Sequence, residues 1–146
     1  MAGFQFPLDK VLRWRLVQLA AEEAKQKQLL QEQVKLQTLG AELGVERSKL
    51  CSSLATLPDL GGEDLRAMAA YSLRLKRLAE SIAEQTARCE RNLAAQKKKY
   101  RDAQQRCRLL EELKARRLAE WRQEQSRQLE ILASESYLAN WNRDRL

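Results

Sequence analysis

The feature that most limits how this sequence can fold is a long stretch without a helix-breaking residue. The interval from Glu63 to Asn140 contains neither proline nor glycine and is rich in alanine, leucine, arginine, lysine, glutamate and glutamine. These residue types lose little conformational freedom on entering a helix. At about 1.5 Å per residue, such a helix would extend roughly 115 Å, which is too long for a compact domain of this size. The stretch therefore predicts one long helix in an elongated molecule.

Apolar residues recur in this stretch with the seven-residue period of a coiled coil. A lone helix cannot bury such a stripe by itself, so another segment must lie along it. The first third of the chain is the obvious candidate. The predicted core positions are Met68, Ser72, Leu75, Ala79, Ile82, Thr86, Cys89, Leu93, Gln96, Tyr100, Ala103, Cys107 and Leu110.

The first third of the chain predicts a shorter helix, from about residue 7 to residue 57. Pro7 suits a first helical turn because it lacks the amide hydrogen that would be unpaired there. Leucines then recur every seven residues in two sets, one at 12 and 19 and the other from 29 to 57. The two sets predict a change of heptad phase between them. Gly40 and Gly44 each cost about 1 kcal/mol relative to alanine within a helix, so this helix should be the softer one. Gly40 is consistent either with a close approach of the second helix or with a bend.

A reversal of the chain is predicted between the two helices, at residues 58–62. Pro58 disfavours helical geometry in the residue before it, and Gly61 and Gly62 add flexibility. An antiparallel pairing around this turn places Leu50 opposite Tyr71, Leu43 opposite Leu78, Leu29 near Asn92 and Leu93, and Trp14 beside Cys107. Most of these pairs join apolar side chains, which favours a two-helix hairpin over a parallel dimer. The predicted fold is all-α: one domain, residues 1–146, in which two long helices form an antiparallel coiled-coil hairpin with helix two at about 63–140.

The same pairing predicts that the second helix is longer and overhangs the first. Residues beyond about Trp121 have no partner segment within the chain. This overhang still carries large apolar side chains, which are unfavourable in water. We interpret the overhang as a plug for a socket on another protein, with self-association or a frayed end as the alternative. The apolar residues concerned are Leu129, Ile131, Leu132, Tyr137, Leu138 and Trp141.

The net charge of +7 is concentrated in one segment of the second helix. Between Arg88 and Arg127 there are thirteen lysines and arginines against six aspartates and glutamates. The densest cationic part is a basic patch formed by Lys97, Lys98, Lys99 and Arg101. Such a patch can attract an acidic protein, an anionic membrane or nucleic acid, or can simply solvate the outside of a helix. Among the binding partners we favour an acidic protein.

Neither enzyme chemistry nor a cofactor is predicted. The sequence contains no histidine, which is the commonest general base and a frequent metal ligand. It also lacks a glycine-rich phosphate loop. Cys51, Cys89 and Cys107 do not have metal-type spacing and are predicted to be reduced thiols. We therefore expect no catalytic residue, no bound metal and no cofactor.

No membrane-spanning or secretory segment is expected. No apolar run reaches the eighteen or so residues that a transmembrane helix needs. Charged residues, among them Asp9, Lys10 and Arg13, interrupt the N-terminal region where a signal sequence would have its apolar core. A cytoplasmic protein without direct membrane insertion is predicted.

The beginning of the chain resembles the flagellar export protein FliJ family. The residues that carry this resemblance are Phe4, Phe6, Leu8, Val11, Leu12 and Arg15, followed by Glu22, Glu23 and Ala24. Tyr71, Leu75, Leu78 and Ile82 at the start of the second helix are similar to the same family. The length, the hairpin and the highly charged second helix fit the family across the whole chain.

The resemblance implies a cytoplasmic coiled coil that acts as the central stalk of the type III export ATPase. Such a protein binds the hexameric ATPase, promotes its assembly or activity, couples it to a membrane protein of the export gate and handles export chaperones. It lies peripherally at the inner-membrane export apparatus. On this hypothesis Tyr71 marks the gate contact. The residues expected at or near the ATPase are Phe4, Phe6, Leu8, Leu12, Trp14, Arg116, Arg117, Arg122, Ile131, Leu138 and Trp141, with the basic patch adding positive charge.

Three alternatives remain open at this point. A stalk of an injectisome-type secretion system would have the same architecture. A basic coiled coil could bind nucleic acid, although its seam lacks the interleaved aromatic residues that stack on single-stranded bases and no recognition-helix module is visible, so no nucleic acid is expected. A structural or chaperone-like helical hairpin without an ATPase partner is the third.

Overall fold

The computed structural model describes residues 3–56 and 61–145. They form two long α-helices that pack against each other, α1 at Asp9–Thr56 and α2 at Gly62–Arg145. No strand occurs in these two ranges. The prediction of an all-α helical hairpin with a longer second helix is therefore confirmed.

Local sequence explains where each helix begins. The amide of Asp9 donates to the Phe6 carbonyl at 3.1 Å, so the turn around Pro7 precedes α1 rather than opening it. The Asp9 carboxylate lies in the first turn of α1, where the positive end of the helix dipole favours negative charge. Glu63 and Asp64 occupy the same place in α2. Of the predicted reversal, Gly61 and Gly62 are described, whereas Leu57 and the three positions up to residue 60 lie outside the described residues.

The chain divides into two compact units, each of which contains a segment of both helices. The first unit combines residues 1–19 with residues 102–146, and the second comprises residues 20–101. In the first unit, Lys114 of α2 contacts Asp9 at the start of α1. In the second unit, Gln96 contacts Glu22, and Tyr71 contacts Glu46. Because the partner's number falls as the first number rises, the segments of α1 and α2 run antiparallel within the second unit.

The heptad stripe of α2 is buried as predicted. Leu75, Cys89, Leu93, Gln96 and Cys107 are buried. The other predicted core positions are half-buried, with the exception of Ser72, which is exposed. The core is therefore a narrow seam rather than a layered interior, as expected for two helices that can each cover only one side of the other.

The stripe of α1 keeps a single heptad phase, so the predicted change of phase is wrong. Two sets of seven-residue spacing lie side by side on the face turned toward α2. The error arose because glutamines and charged residues occupy core positions between the leucines, where an apolar pattern does not reveal them. The buried or half-buried positions that follow these spacings are Leu12, Leu19, Gln26 and Gln33 in one set and Arg15, Glu22, Leu29, Leu36, Leu43 and Leu50 in the other; Asp9, Gln18 and Ser53 are half-buried as well.

The pairing between the helices of the second unit differs from the prediction by about one helical turn at some positions. Tyr71 bonds to Glu46 rather than lying opposite Leu50. The Cys89 thiol donates to the main-chain oxygen of Leu29 at 3.5 Å, where a residue near Leu93 was expected. A slip of one turn keeps the same residues on the inner face, because a helix repeats its direction about every 3.6 residues. The hydrophobic pattern alone therefore cannot distinguish the two pairings.

The helix α1 passes through Gly40 and Gly44 without interruption. A Cβ atom added at Gly40 would lie 3.9 Å from Cγ2 of Ile82, which is an ordinary van der Waals distance. Nothing lies within 4 Å of the same position at Gly44. Neither glycine is therefore required by a close approach of α2 or by an interruption of the helix.

Candidate functional site

The N-terminal residues lie against α2 in the first unit through an aromatic contact. The rings of Phe4 and Trp121 are 6.1 Å apart between centroids and tilted by 55°, which is within the range of favourable aromatic pairs. Phe6 is buried, unlike the half-buried Phe4. Phe6 is thus a packing residue of this unit and does not present its side chain to a partner.

An ionic contact joins the start of α1 to α2 beside this aromatic pair. The ammonium group of Lys114 donates to the Asp9 carboxylate at 3.1 Å, and the Arg13 guanidinium lies 3.0 Å from the other carboxylate oxygen. The hydrogen bond from Lys114 lowers the pKa of Asp9 below its usual value, and the charges of Lys114 and Arg13 act in the same direction. The carboxylate therefore stays ionised and holds both cations at the end of the seam.

Two further apolar residues predicted at this end of the chain are exposed. Leu8 and Trp14 both lie at the surface. The Arg15 guanidinium lies over the Trp14 ring at 4.8 Å, a distance typical of a cation–π contact. Arg15 itself is half-buried on the seam, so it takes the place beside α2 that was expected for Trp14. Leu8 and Trp14 are thus accessible to a partner, whereas the predicted packing of Trp14 beside Cys107 is wrong.

The overhang predicted for α2 is present, and we call residues 126–145 the tail. Trp121 and Gln125 are still half-buried, but all residues of the tail are exposed. Ile131, Leu138 and Trp141 are exposed by 48%, 55% and 45%. The Arg145 guanidinium lies over the Trp141 ring at 4.1 Å, so part of that ring is covered within the tail itself.

The apolar side chains of the tail do not share one face of the helix. Successive residues of an α-helix are turned by about 100° from each other. Ile131 and Leu132 therefore point in different directions, and Leu129 lies on the side nearly opposite to Ile131. Tyr137 and Leu138 diverge in the same way, and all five side chains are exposed. Large apolar side chains are therefore exposed on several sides of the tail, interspersed with charged and polar ones.

The cationic residues predicted to contact a partner lie at the surface. Arg116, Arg117 and Arg122 are exposed in the first unit. Lys97, Lys98, Lys99 and Arg101, the basic patch, are exposed in the second unit. Within residues 3–56 and 61–145, none of these seven side chains makes a salt bridge.

Tyr71, the predicted gate contact, is anchored to α1. Its hydroxyl group donates to the Glu46 carboxylate at 3.3 Å, and the ring remains partly exposed. The residue is thus held in place and accessible at the same time. Which molecule it contacts stays a prediction.

The most specific polar contact of the seam was not anticipated from the sequence. Gln96 was placed at a core position, but the pattern did not indicate its partner. Its amide group donates to both the main-chain oxygen and the carboxylate of Glu22. A buried glutamine requires hydrogen-bond partners. Its core position therefore predicts an acceptor on the facing helix, although not which residue supplies it.

Two kinds of feature are absent from the described residues. No helix among them combines the length and apolar character needed to cross a membrane. No cluster of three or more potential metal ligands occurs in the described ranges. Comparison with protein-family models, with curated proteins and with solved structures finds no match for this chain.

Proposed function

We propose that this protein is a non-enzymatic stalk of a flagellar-type protein export apparatus, and that it binds the hexameric export ATPase through its tail. The observation that carries this proposal is the tail itself, a helix that continues past its last contact with α1 and bears apolar side chains on several sides. The resemblance of the N-terminal residues to the FliJ family supports the same function.

The distribution of apolar residues in the tail favours an enclosing partner. A flat surface would cover Ile131 or Leu129 but not both, since they point to nearly opposite sides of α2. The central opening of a ring of subunits can contact all sides of one helix together. Burying such side chains is worth about 25 cal/mol for each Å² of apolar surface removed from water, so enclosure contributes more than contact on one side.

Surface charge in the first unit supports the same partner. Arg116, Arg117 and Arg122 are exposed and unpaired within the described ranges. Positive charge at these positions would speed the encounter with an acidic ring entrance more than it would tighten binding. Leu8 and Trp14 extend the proposed contact onto α1, while Phe6 is omitted because it is buried.

The remaining roles follow from the family resemblance. The stalk would couple the ATPase to the membrane protein of the export gate, with Tyr71 at that contact, and would bind export chaperones. The protein would then reside in the cytoplasm at the inner-membrane export apparatus. An injectisome-type stalk is the alternative system, and the choice between them depends on which ATPase the tail fits.

Binding to the ATPase tests the proposal. The purified protein should bind the export ATPase of its own source in a pull-down and raise its ATP turnover. Replacing Leu138 and Trp141 by aspartate should weaken binding by about tenfold or more, because charges would enter an apolar contact. Leu109→Asp is the matched control, because Leu109 is an exposed apolar residue of α2 outside the tail.

The outcomes separate the alternatives. Circular dichroism should show that the double variant keeps its helicity. Unchanged affinity of that variant, or an equal loss with Leu109→Asp, would refute the role of the tail. The same assay with an injectisome ATPase identifies the export system, because the matching ATPase should bind more tightly.

A further inference from the structure

The second unit carries a cationic surface on the side of α2 that faces away from α1. We call it the outer basic face; it consists of Arg88, Arg91, Lys98 and Arg101 together with Ala87, Ala94 and Ala95. All seven residues are exposed. The seam positions Cys89, Leu93 and Gln96 are buried on the opposite side of the same turns. The outer basic face is therefore a surface that packing of the hairpin does not use.

The cations of this face are not paired in salt bridges among the described residues, although the exposed Glu84 and Asp102 lie one helical turn beyond Arg88 and Lys98. Glu90 is the one acidic residue between Arg88 and Arg101. The facing part of α1, residues 22–29, contains two glutamates and two lysines and so adds no net charge. A surplus of like charges held along one helix is unfavourable unless solvent or a partner compensates it.

The shape of the face is as informative as its charge. Ala87, Ala94 and Ala95 leave a shallow surface between the long cationic side chains. Small residues allow two helices to approach to about 8 Å, the lower end of the usual interaxial distances. Arg91 and Lys98 are seven residues apart, which corresponds to about 10 Å along the axis and to the same side of α2. The arrangement thus repeats with the period of a second helix lying alongside.

From this geometry we propose that the outer basic face binds an acidic α-helix of a partner protein. Carboxylates spaced seven residues apart on that helix would pair with Arg91 and Lys98, while its backbone approaches the alanines. Arg88 and Arg101 would pair with acids at either end of the contact. The proposal rests on the second unit alone and does not depend on the tail or on the ATPase.

Nucleic acid and membrane surfaces fit the same face less well. Tyr100, the aromatic residue within this segment, is half-buried in the seam and is not available to stack on bases. The face carries no large apolar side chain that could enter a bilayer. Neither a phosphate backbone nor a lipid surface requires a shallow strip of alanines, whereas a closely packed helix does.

The test uses the full-length protein and a synthetic acidic peptide as the probe. The peptide has about 21 residues, a length of roughly six turns, and carries glutamate at one face of an alanine-based helix. Its fluorescence anisotropy is measured at about 50 mM and about 300 mM salt, where screening differs strongly. A peptide of the same composition, with the glutamates distributed around the helix, is the sequence control.

Two variants and one control variant separate the effect of charge from that of shape. Replacing Arg91 and Lys98 by glutamate should weaken binding of the peptide by about tenfold or more. Replacing Lys35 and Arg47 by glutamate changes the net charge equally on exposed positions of α1 and should have little effect. Ala94→Gln keeps the charge but places a longer side chain on the shallow surface. It should weaken binding about fivefold because the two helices can no longer approach closely.

Each outcome decides the proposal. Tighter binding of the one-faced peptide than of its control, lost with Arg91→Glu and Lys98→Glu and reduced by Ala94→Gln, supports a helical partner. Equal binding of both peptides, or no effect of Ala94→Gln, overturns it in favour of unspecific attraction. If single-stranded DNA or phosphatidylglycerol vesicles bind more tightly than the one-faced peptide, and with the same dependence on Arg91 and Lys98, the proposal is overturned in favour of that ligand.

Discussion

The side-chain amide of Gln96 on α2 donates hydrogen bonds to both the main-chain oxygen and the carboxylate of Glu22 on α1. Its amide nitrogen lies 3.1 Å from the Glu22 carbonyl oxygen, and Gln96 is only 6% exposed. Leucine contacts tolerate a slip of one helical turn, but this pair cannot be formed after such a slip. A single polar residue in a coiled-coil core often fixes the alignment of the helices in this way. Gln96 therefore specifies the register of the second unit.

Gln96→Ala should destabilise the protein. The change removes a hydrogen-bond donor to Glu22 and leaves a small cavity, for which we expect a loss of about 1–3 kcal/mol in the free energy of unfolding. The measurement is urea unfolding followed by circular dichroism. Lys97→Ala is the control, because Lys97 is the exposed neighbour and should change stability by less than about 0.5 kcal/mol. Equal effects of both variants would contradict the role of Gln96.

Gln96→Glu should produce a pH-dependent loss of stability. At neutral pH two carboxylates would face each other at positions 22 and 96, which is unfavourable. Protonation of the introduced carboxyl group at mildly acidic pH restores a hydrogen-bond donor, so the loss relative to the parent protein should shrink. Thermal unfolding of both proteins at neutral and mildly acidic pH measures this difference. A loss that is constant with pH would show that the two side chains do not meet.

Leu36→Ala should be far more damaging than Leu39→Ala. The two residues undergo the same chemical change on the same helix, but Leu36 is 6% exposed and Leu39 is 48% exposed. Truncation of a buried leucine typically costs about 2–5 kcal/mol, whereas an exposed one should cost less than about 1 kcal/mol. Urea unfolding of both variants gives the comparison. Similar losses would mean that the seam of α1 does not run through Leu36.

The three thiols should differ in reactivity. Burial raises the pKa of both Cys89 and Cys107, while Cys51 is exposed. Because the thiolate is the reactive form, an aromatic disulfide reagent at mildly alkaline pH should modify Cys51 at least about tenfold faster than Cys89 or Cys107. Cys51→Ser should abolish the fast phase, and unfolding in urea should make all thiols fast. Three equal rates in the native protein would contradict the packing of α2.

The buried thiols of Cys89 and Cys107 should lower the free energy of unfolding as the pH becomes alkaline. In the unfolded chain a cysteine loses its proton near its ordinary pKa of about 9.0, whereas the buried thiols keep theirs to higher pH. The unfolded state therefore binds fewer protons as pH rises past this value, and stability should fall. Replacing both Cys89 and Cys107 by alanine should reduce this fall, as measured by urea unfolding at increasing pH.

The repeated apolar spacing of α2 was sufficient to predict the helical hairpin, whereas the overhang was predicted from the pairing around the turn and begins and ends a few residues later than expected. Leu75, Leu93 and Cys107 lie on the seam because a seven-residue spacing of apolar groups determines one inner face. The seam of α1 was harder to recognise, since Gln26 and Gln33 occupy half-buried positions that a search for apolar residues omits. Polar residues at such positions are compatible with a two-helix seam because their ends can reach solvent.

The details of the candidate surfaces depended on contacts that spacing does not determine. Phe4 and Phe6 have the same chemistry and lie two residues apart, yet Phe6 is buried while Phe4 stacks on Trp121 at the edge. The sequence also gave no indication that Arg15, rather than Trp14, would lie on the seam. In both cases the side chain next to the helix start is placed by packing against α2, which a pattern within α1 cannot specify.

Gly40→Ala and Gly44→Ala should each stabilise the protein. Both glycines lie within α1 with no positive φ angle, so alanine fits the backbone. At Gly40 the new methyl group would contact Ile82 at 3.9 Å, and at Gly44 it would meet open space. We expect a gain of about 1 kcal/mol at each position from helix propensity, with slightly more at Gly40. Thermal unfolding measures the gain, and a loss at Gly40 would indicate a closer approach of the helices.

Acid should weaken the contact between Asp9 and Lys114 and so lower the stability of the folded protein. The hydrogen bond from Lys114 lowers the pKa of Asp9, so in the unfolded chain this carboxyl group takes up a proton near 3.8 while in the folded protein it is still charged. The unfolded state then binds more protons, and the stabilisation that is present above this pH is lost as pH falls through the folded pKa. Thermal unfolding between neutral pH and pH of about 2 follows this loss.

Asp9→Asn isolates the contribution of this contact. The variant should be less stable than the parent protein at neutral pH, and the difference should shrink toward low pH, where Asp9 itself becomes uncharged. Asp102→Asn removes an equal charge from an exposed side chain that makes no salt bridge among the described residues, so it should lower stability less at neutral pH. If Asp9→Asn and the parent protein differ equally at every pH, the Lys114 ammonium does not pair with this carboxylate in solution, and the N-terminal residues are held in the first unit by the packing of Phe4 and Phe6 without the ionic contact.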